Sequence, residues 1–163
     1  MSYLILWFLF FAAVAWAEAK TRILVLCTGN SARSQMTEGF LRSLDPDLAV
    51  FSAGTNPGAR VNPLAIQAMK EIGIELTGHH PKHVREFLGQ NFDFVVTVCD
   101  DADKNCPNFI GKVGKRLHFG FPDPAKAVGS EAEKLAVFQK TRDDIRARFR
   151  NVHATYVQGG RKR

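Results

Sequence analysis

The stretch from Ile23 to Leu44 constrains the fold most. Ile23-Leu24-Val25-Leu26 is a short, unbroken apolar run rich in branched residues. Such a run reads as a strand buried on both faces. Cys27 ends it, Gly29-Asn30 supply a turn, and a helix is predicted over Ser31 to Leu44, stopped by Asp45-Pro46. A buried strand that passes through a tight loop into a helix is the opening unit of a parallel α/β sheet.

The rest of the chain repeats the alternation. Ala49-Val50-Phe51-Ser52 reads as a second strand, ending at Gly54. Asn62-Pro63 opens a second helix, asparagine as cap and proline in the first turn, and Gly73 stops it. Phe94 to Val98 reads as a third strand ending at Cys99, and Leu117-His118-Phe119 as a weaker fourth. Ser130 and Glu133 form a capping box before the longest helix, which runs to about Arg150. The expected fold is a three-layer α/β domain: a short parallel sheet of about four strands with helices on both faces. Ligands of such sheets bind beyond the carboxyl ends of the strands, where Cys27 and Cys99 both lie.

The loop Cys27-Thr28-Gly29-Asn30-Ser31-Ala32-Arg33-Ser34 carries the chemistry. Successive backbone N–H groups in such a turn form a nest for an anion, and the helix start adds its positive dipole end. Thr28, Gly29, Asn30, Ser31, Ala32 and Arg33 are therefore the candidate oxyanion-binding residues. Both effects favour a thiolate, so Cys27 is the candidate nucleophile with a depressed pKa. Arg33 offers a planar fork to two oxygens of a tetrahedral anion. Gly29 lets the loop turn, Asn30 tolerates a left-handed conformation, and the Ser34 hydroxyl can donate to the Cys27 sulfur. The Gly-Lys-Ser/Thr ending of a nucleotide-binding P-loop is absent.

Asp123 stands between prolines in Phe121-Pro122-Asp123-Pro124, a stiffened loop that would aim its carboxyl as a proton donor. Cys99 and Cys106 flank the polar, acidic stretch Asp100 to Asn105, read as an exposed, mobile loop. With Cys27 they form a candidate relay. Their spacing does not suit zinc, and no fourth ligand is evident. His79, His80 and His83 read as a solvated cluster at a helix start, so neither a metal nor a cofactor is expected.

The chain has 163 residues and 45% hydrophobic content, enough for one domain with a real core. Its formal net charge of +6 suits anionic ligands, but no nucleic-acid motif accompanies it. Three cysteines fit reactive chemistry in a reducing compartment better than a disulfide scaffold. The N-terminus pulls the other way. Tyr3 to Ala17 is unbroken apolar sequence followed by small-x-small patterns ending at Ala17 and Ala19. That resembles a signal peptide but lacks a basic n-region, and it falls short of the roughly 20 residues of a membrane span. Lys20 and Arg22 after the run favour a cytoplasmic domain, with export or weak membrane anchoring as the alternative. The expected organisation is a hydrophobic segment over 1–19, a catalytic domain over 20–150 and a basic tail over 151–163, acting as a monomer.

Taken together, these residues resemble a known family. Cys27-Thr28-Gly29-Asn30-Ser31 with Arg33-Ser34-Gln35-Met36, Ser52-Ala53-Gly54-Thr55, Val95 to Cys99 with Cys106-Pro107, and Asp123-Pro124-Ala125-Lys126-Ala127 are similar to the thioredoxin-coupled arsenate reductases. Those share the fold of low-molecular-weight tyrosine phosphatases. The resemblance implies attack of Cys27 on arsenate held against Arg33, with Asp123 protonating the leaving oxygen. It implies a Cys27–Cys99 disulfide, then Cys99–Cys106, then reduction by thioredoxin. Some relatives bind potassium beside the loop; Asn30, Glu38 and Ser52 match that site, but Lys82 stands where an acidic ligand would be. The rival readings are a low-molecular-weight phosphatase acting on phosphotyrosine or small phosphoesters, and an exported oxyanion-binding protein without turnover. Ala125-Lys126-Ala127 give no aromatic platform for a phosphotyrosine ring, and a phosphatase has no use for Cys99 and Cys106.

Overall fold

A computed structural model describes residues 20–159. The N-terminal segment 1–19 and the end of the basic tail lie outside them, as do the signal and anchor readings. Among the described residues, no helix is long and apolar enough to cross a membrane.

Four parallel strands form one sheet in the order β2-β1-β3-β4: β1 (Thr21–Cys27), β2 (Leu48–Gly54), β3 (Phe92–Thr97) and β4 (Val113–His118). β1 pairs with β2 on one side and β3 on the other. The chain therefore reverses its winding direction beside β1, and a crevice opens at the carboxyl ends of β1 and β3.

Strand alternation divides the core. Ile23, Val25 and Cys27 face one layer, with Met36, Phe40 and Leu41 of α1 (Arg33–Leu44), Ala65, Ala68 and Met69 of α2 (Pro63–Lys70), and Phe138, Ile145 and Phe149 of a long C-terminal helix. Leu24 and Leu26 face the other, under Val84 and Phe87 of a 3₁₀ turn and the rings of Phe51, Phe92 and Phe109. Full burial of each such side chain contributes about 1.5–3 kcal/mol. Helices thus dominate one face, while a 3₁₀ turn and a cluster of tilted and edge-on aromatic rings cover the second.

Local signals are realised where they are strongest. Asn62 accepts from the Leu64 amide at 2.9 Å, with Pro63 in the first turn. α2 ends at Lys70 rather than at Gly73, which closes the following turn at φ 75°. Ser130 and Glu133 make the reciprocal capping box of the long helix. Other expectations change. The first helix begins at Arg33, since Ser31 and Ala32 belong to the loop. The fourth strand spans Val113–His118, an edge strand whose Lys115 and Arg116 are exposed. The acidic stretch after Cys99 is a short helix, α3 (Asp100–Lys104), pinned by buried Ala102.

The last helix, α4 (Glu131–Val152), runs on into a π-helical turn, His153–Gln158. Val152, His153 and Val157 are buried there, so the chain beyond residue 150 starts as core rather than as frayed tail. His153 Nε2 lies 2.7 Å from Asp45 Oδ2, both side chains about nine-tenths buried. This pair fastens the π-turn to the end of α1. Asp45→Ala is expected to lower the unfolding free energy by about 3 kcal/mol, because it strands the imidazole in the interior. Urea denaturation measures this; a loss under about 0.5 kcal/mol, as at a surface contact, would contradict it.

Candidate active site

The loop after β1 is shaped by what its carbonyls bind. Cys27 O accepts from the Thr55 amide at 3.2 Å, Thr28 O from Asn56 at 2.9 Å, Gly29 O from Gly58 at 2.8 Å and Ser31 O from Asn62 at 2.7 Å. Asn30 O accepts from Gln35 Nε2 at 2.9 Å. In a trans peptide the N–H points opposite to the carbonyl. Four of these carbonyls turn toward the segment 55–62, so the amides of the same peptides turn away from it, into the cradle. Gly54 permits this approach of chain to chain, since a Cβ there would stand 2.4 Å from Thr28 O.

Asn30 is the pin of the turn. It is fully buried with φ 46°, the left-handed conformation expected of it. Its Nδ2 donates to Ser34 Oγ at 2.9 Å and Ser52 Oγ at 2.8 Å, and its Oδ1 accepts from the Lys82 amide at 2.8 Å. Ser34, expected at the Cys27 sulfur, is thus bound to Asn30. The sulfur meets the Thr28 amide and Cys99 instead. Ala32 precedes α1 without a side-chain cap, and the first turn of α1 holds no acidic residue. The first amides of that helix are left for a ligand.

Arg33 and Asp123, far apart in sequence, meet over the loop. Arg33 Nη1 donates to Phe121 O at 2.8 Å and Nη2 lies 3.3 Å from Asp123 Oδ2. Asp123 Oδ1 accepts from the Ala125 amide at 3.2 Å, which fixes the carboxyl within its proline-flanked turn.

Cys27 and Cys99 are buried free thiols joined by a hydrogen bond between their side chains. That bond holds the Cys99 thiol down to about 5, helped by the Thr28 hydroxyl, 3.4 Å from its sulfur, the Ala102 amide and Arg33. The same bond, with burial, pushes Cys27 up against the pull of Arg33 and the Thr28 amide. Here the expectation of a depressed Cys27 thiol is corrected: the two thiols titrate as a pair, in which Cys27 is raised and Cys99 lowered. The hydrogen bond between the two side chains is the main cause, with burial second.

Cys106 stands apart. It packs against the second core layer and does not join the Cys27–Cys99 pair. Of the histidines, His83 caps the 3₁₀ turn and His79 Nδ1 lies 2.9 Å from Gln35 Oε1. Among the described residues, no cluster of histidine, cysteine and carboxylate is arranged to hold a metal. The potassium site implied by resemblance does not fit either. Glu38 is bonded by the Ser52 hydroxyl, lies 2.7 Å from Arg42 Nη2, and has Lys82 Nζ at 3.8 Å. A carboxylate already shared by two cationic side chains does not suit a third cation.

Sequence reasoning assigned no role to Gln35, whose amide ties Asn30 O to His80 O. Nor did it foresee the Thr28 hydroxyl on Cys99. The Gln35–His80 and Thr28–Cys99 contacts span 45 and 71 residues, and neither leaves a local signal.

Comparison with known proteins agrees with this geometry. Residues 22–161 match the family model described as low molecular weight phosphotyrosine protein phosphatase. A protein of Shouchella clausii named arsenate reductase is 45% identical over 138 residues, covering 84% of this chain and 98% of its own. One of Bacillus subtilis with the same name is 44% identical over 134 residues, covering 82% and 95%. A solved structure described as an arsenate reductase in the phosphate binding state is 29% identical, with a TM-score of 0.71 over 83% of this chain and 98% of that one.

Proposed function

The chain belongs to the low molecular weight phosphotyrosine protein phosphatase family, and within it we propose that this enzyme reduces arsenate to arsenite and is recycled by thioredoxin. The observation that carries the reading is the second sulfur. Cys99 Sγ lies 3.4 Å from the hydroxyl of Thr28, the neighbour of Cys27 in the loop, where a phosphatase needs one thiol and an acid.

Arsenate enters the cradle with its oxygens on the loop amides, and Arg33 turns its fork from Phe121 O and Asp123 to the anion. Cys27 passes its proton along the hydrogen bond to Cys99 and its sulfur attacks arsenic. Asp123, freed from Arg33, takes a proton from water and passes it to the oxygen that leaves as water. Cys99 then gives its proton to water and attacks Cys27. The sulfur–arsenic bond breaks with its electron pair left on arsenic, so As(V) leaves as arsenite and a Cys27–Cys99 disulfide remains.

Cys106 moves the oxidation outward. Cys99 is buried in the first core layer and Cys106 packs against the second, with α3 between them in sequence. α3 must therefore open for Cys99–Cys106 to form, and that disulfide is then presented to thioredoxin. Such thiol cycling needs a reducing compartment, which we take to be the cytosol. The arginine-bearing cradle would also hydrolyse small phosphoesters weakly.

The test is arsenate-dependent NADPH oxidation with thioredoxin and thioredoxin reductase, run beside hydrolysis of p-nitrophenyl phosphate. The reading expects sustained oxidation of NADPH and slow hydrolysis. Rapid hydrolysis with no arsenate-dependent oxidation would replace it with the phosphatase reading.

The Lys82–Glu38 contact gives a further expectation. An ammonium already faces the carboxylate, so turnover at constant ionic strength should be the same in potassium as in sodium. Stimulation specific to potassium would contradict this.

A further inference from the structure

Cys106 has a task that its surroundings oppose. Only a thiolate attacks a disulfide, and burial pushes the Cys106 thiol up. One cation is set against it. Arg116 Nη1 donates to Cys106 Sγ at 3.0 Å, a short contact for nitrogen and sulfur and one that suits a charged acceptor.

The guanidinium is held in that position. Arg116 lies in β4, in register with Val95 of β3. Its guanidinium carbon stands 5.4 Å from the centre of the Phe109 ring, which packs edge-on against Phe92 of the second core layer. The fork is thus supported by an aromatic face and directed at the sulfur. Cys106 and Arg116 line an open hollow of about 250 Å³ with Asp103, His118 and Thr97. Asp103, from α3, works against a thiolate there. His118, beside Arg116 on β4, is engaged with Thr97, Asp100 and Asp103.

We infer that Arg116 is a positioning residue that favours the thiolate form of Cys106 which attacks Cys99, an inference that rests on the relay proposed above. Arginine keeps its protons, so the Cys106 proton leaves to water through the open hollow. The Cys106 sulfur attacks Cys99 Sγ. The Cys27–Cys99 bond breaks as Cys99–Cys106 forms, and Cys27 departs as a thiolate into the cradle. One thiolate replaces another, with no net gain or loss of electrons.

The test uses the full chain with Cys27→Ser and Cys99→Ser, so that Cys106 is its sole thiol. The rate of alkylation by iodoacetamide is measured against pH, with Arg116 intact and as Arg116→Met and Arg116→Lys. Losing the cation should raise the pH of half-maximal reactivity by roughly 1–2 units. Lysine, charged but without the planar fork, should restore part of that shift. The plateau at high pH reports access separately, so a merely structural effect would move the plateau and leave the midpoint in place. Equal midpoints for Arg116 and Arg116→Met would overturn the inference. Should the methionine variant not fold, Arg116→Gln takes its place: a raised midpoint is expected, and an unchanged one would overturn the inference in the same way. The measurement needs neither arsenate nor reductant, so failure of the relay and failure of this assignment give distinguishable results.

Discussion

Cys27→Ser is expected to abolish arsenate reduction, by at least about three orders of magnitude, together with any phosphoester hydrolysis. A serine hydroxyl ionises far less readily than a thiol, and it cannot leave arsenic with an electron pair to form a disulfide. The cradle should survive, because its shape comes from carbonyls held by Thr55, Asn56, Gly58 and Asn62 and from the side chain of Asn30, not from the sulfur. Phosphate should therefore still bind to the variant, which isothermal titration can verify. A variant that binds phosphate yet keeps either activity near the unsubstituted level would remove Cys27 from the chemistry.

Cys99→Ser and Cys106→Ser are expected to separate the two chemistries. Without Cys99 no disulfide can resolve the Cys27–arsenic adduct, so turnover with thioredoxin should fall by at least about two orders of magnitude. Without Cys106 the enzyme should release arsenite once and stall as the enclosed Cys27–Cys99 disulfide. Phosphoester hydrolysis should persist in both, since it asks only for Cys27, Arg33 and Asp123. In Cys99→Ser the Cys27 thiol also loses the hydrogen bond that pushes it up. Hydrolysis by that variant should then extend to lower pH, because the cradle's single thiol carries the charge alone. Full thioredoxin-linked cycling by both variants would dispose of the relay.

The parts of this protein legible in sequence are those whose cause is local. The branched run Ile23 to Leu26 makes a strand buried on both faces, the Asn62-Pro63 pair makes a helix start, and Ser130 with Glu133 makes a capping box. The edge strand is hard to read because Val113-Gly114-Lys115-Arg116 needs to bury little: only one side of β4 has a neighbour. α3 is obscure for a similar reason, with Ala102 the one residue of that helix that reaches the core. The continuation past residue 150 did leave a trace. Phe149, Val152, Tyr156 and Val157 prolong the apolar stripe of α4, masked by the basic residues around it.

The candidate site follows the same division. Cys27, the glycine and asparagine of the turn, and Arg33 share one short stretch, so spacing alone marks them. The meeting of Arg33 with Asp123 depends on how the chain returns over the sheet, and that of Cys27 with Cys99 on the β1–β3 register, which sets Leu26 beside Thr97. How the two thiols shift each other depends on their meeting in the packed molecule, across 72 residues of sequence.

The central claim is that arsenate takes two electrons from this chain's own thiols. The direct measurement adds limiting arsenate to the fully reduced protein, with no reductant present. Arsenite is quantified and the thiols are mapped by mass spectrometry after trapping. The expected result is one arsenite for each arsenate added and an equal amount of protein with a Cys99–Cys106 disulfide and a free Cys27. Arsenate recovered unchanged, with all three thiols still free, would contradict the claim.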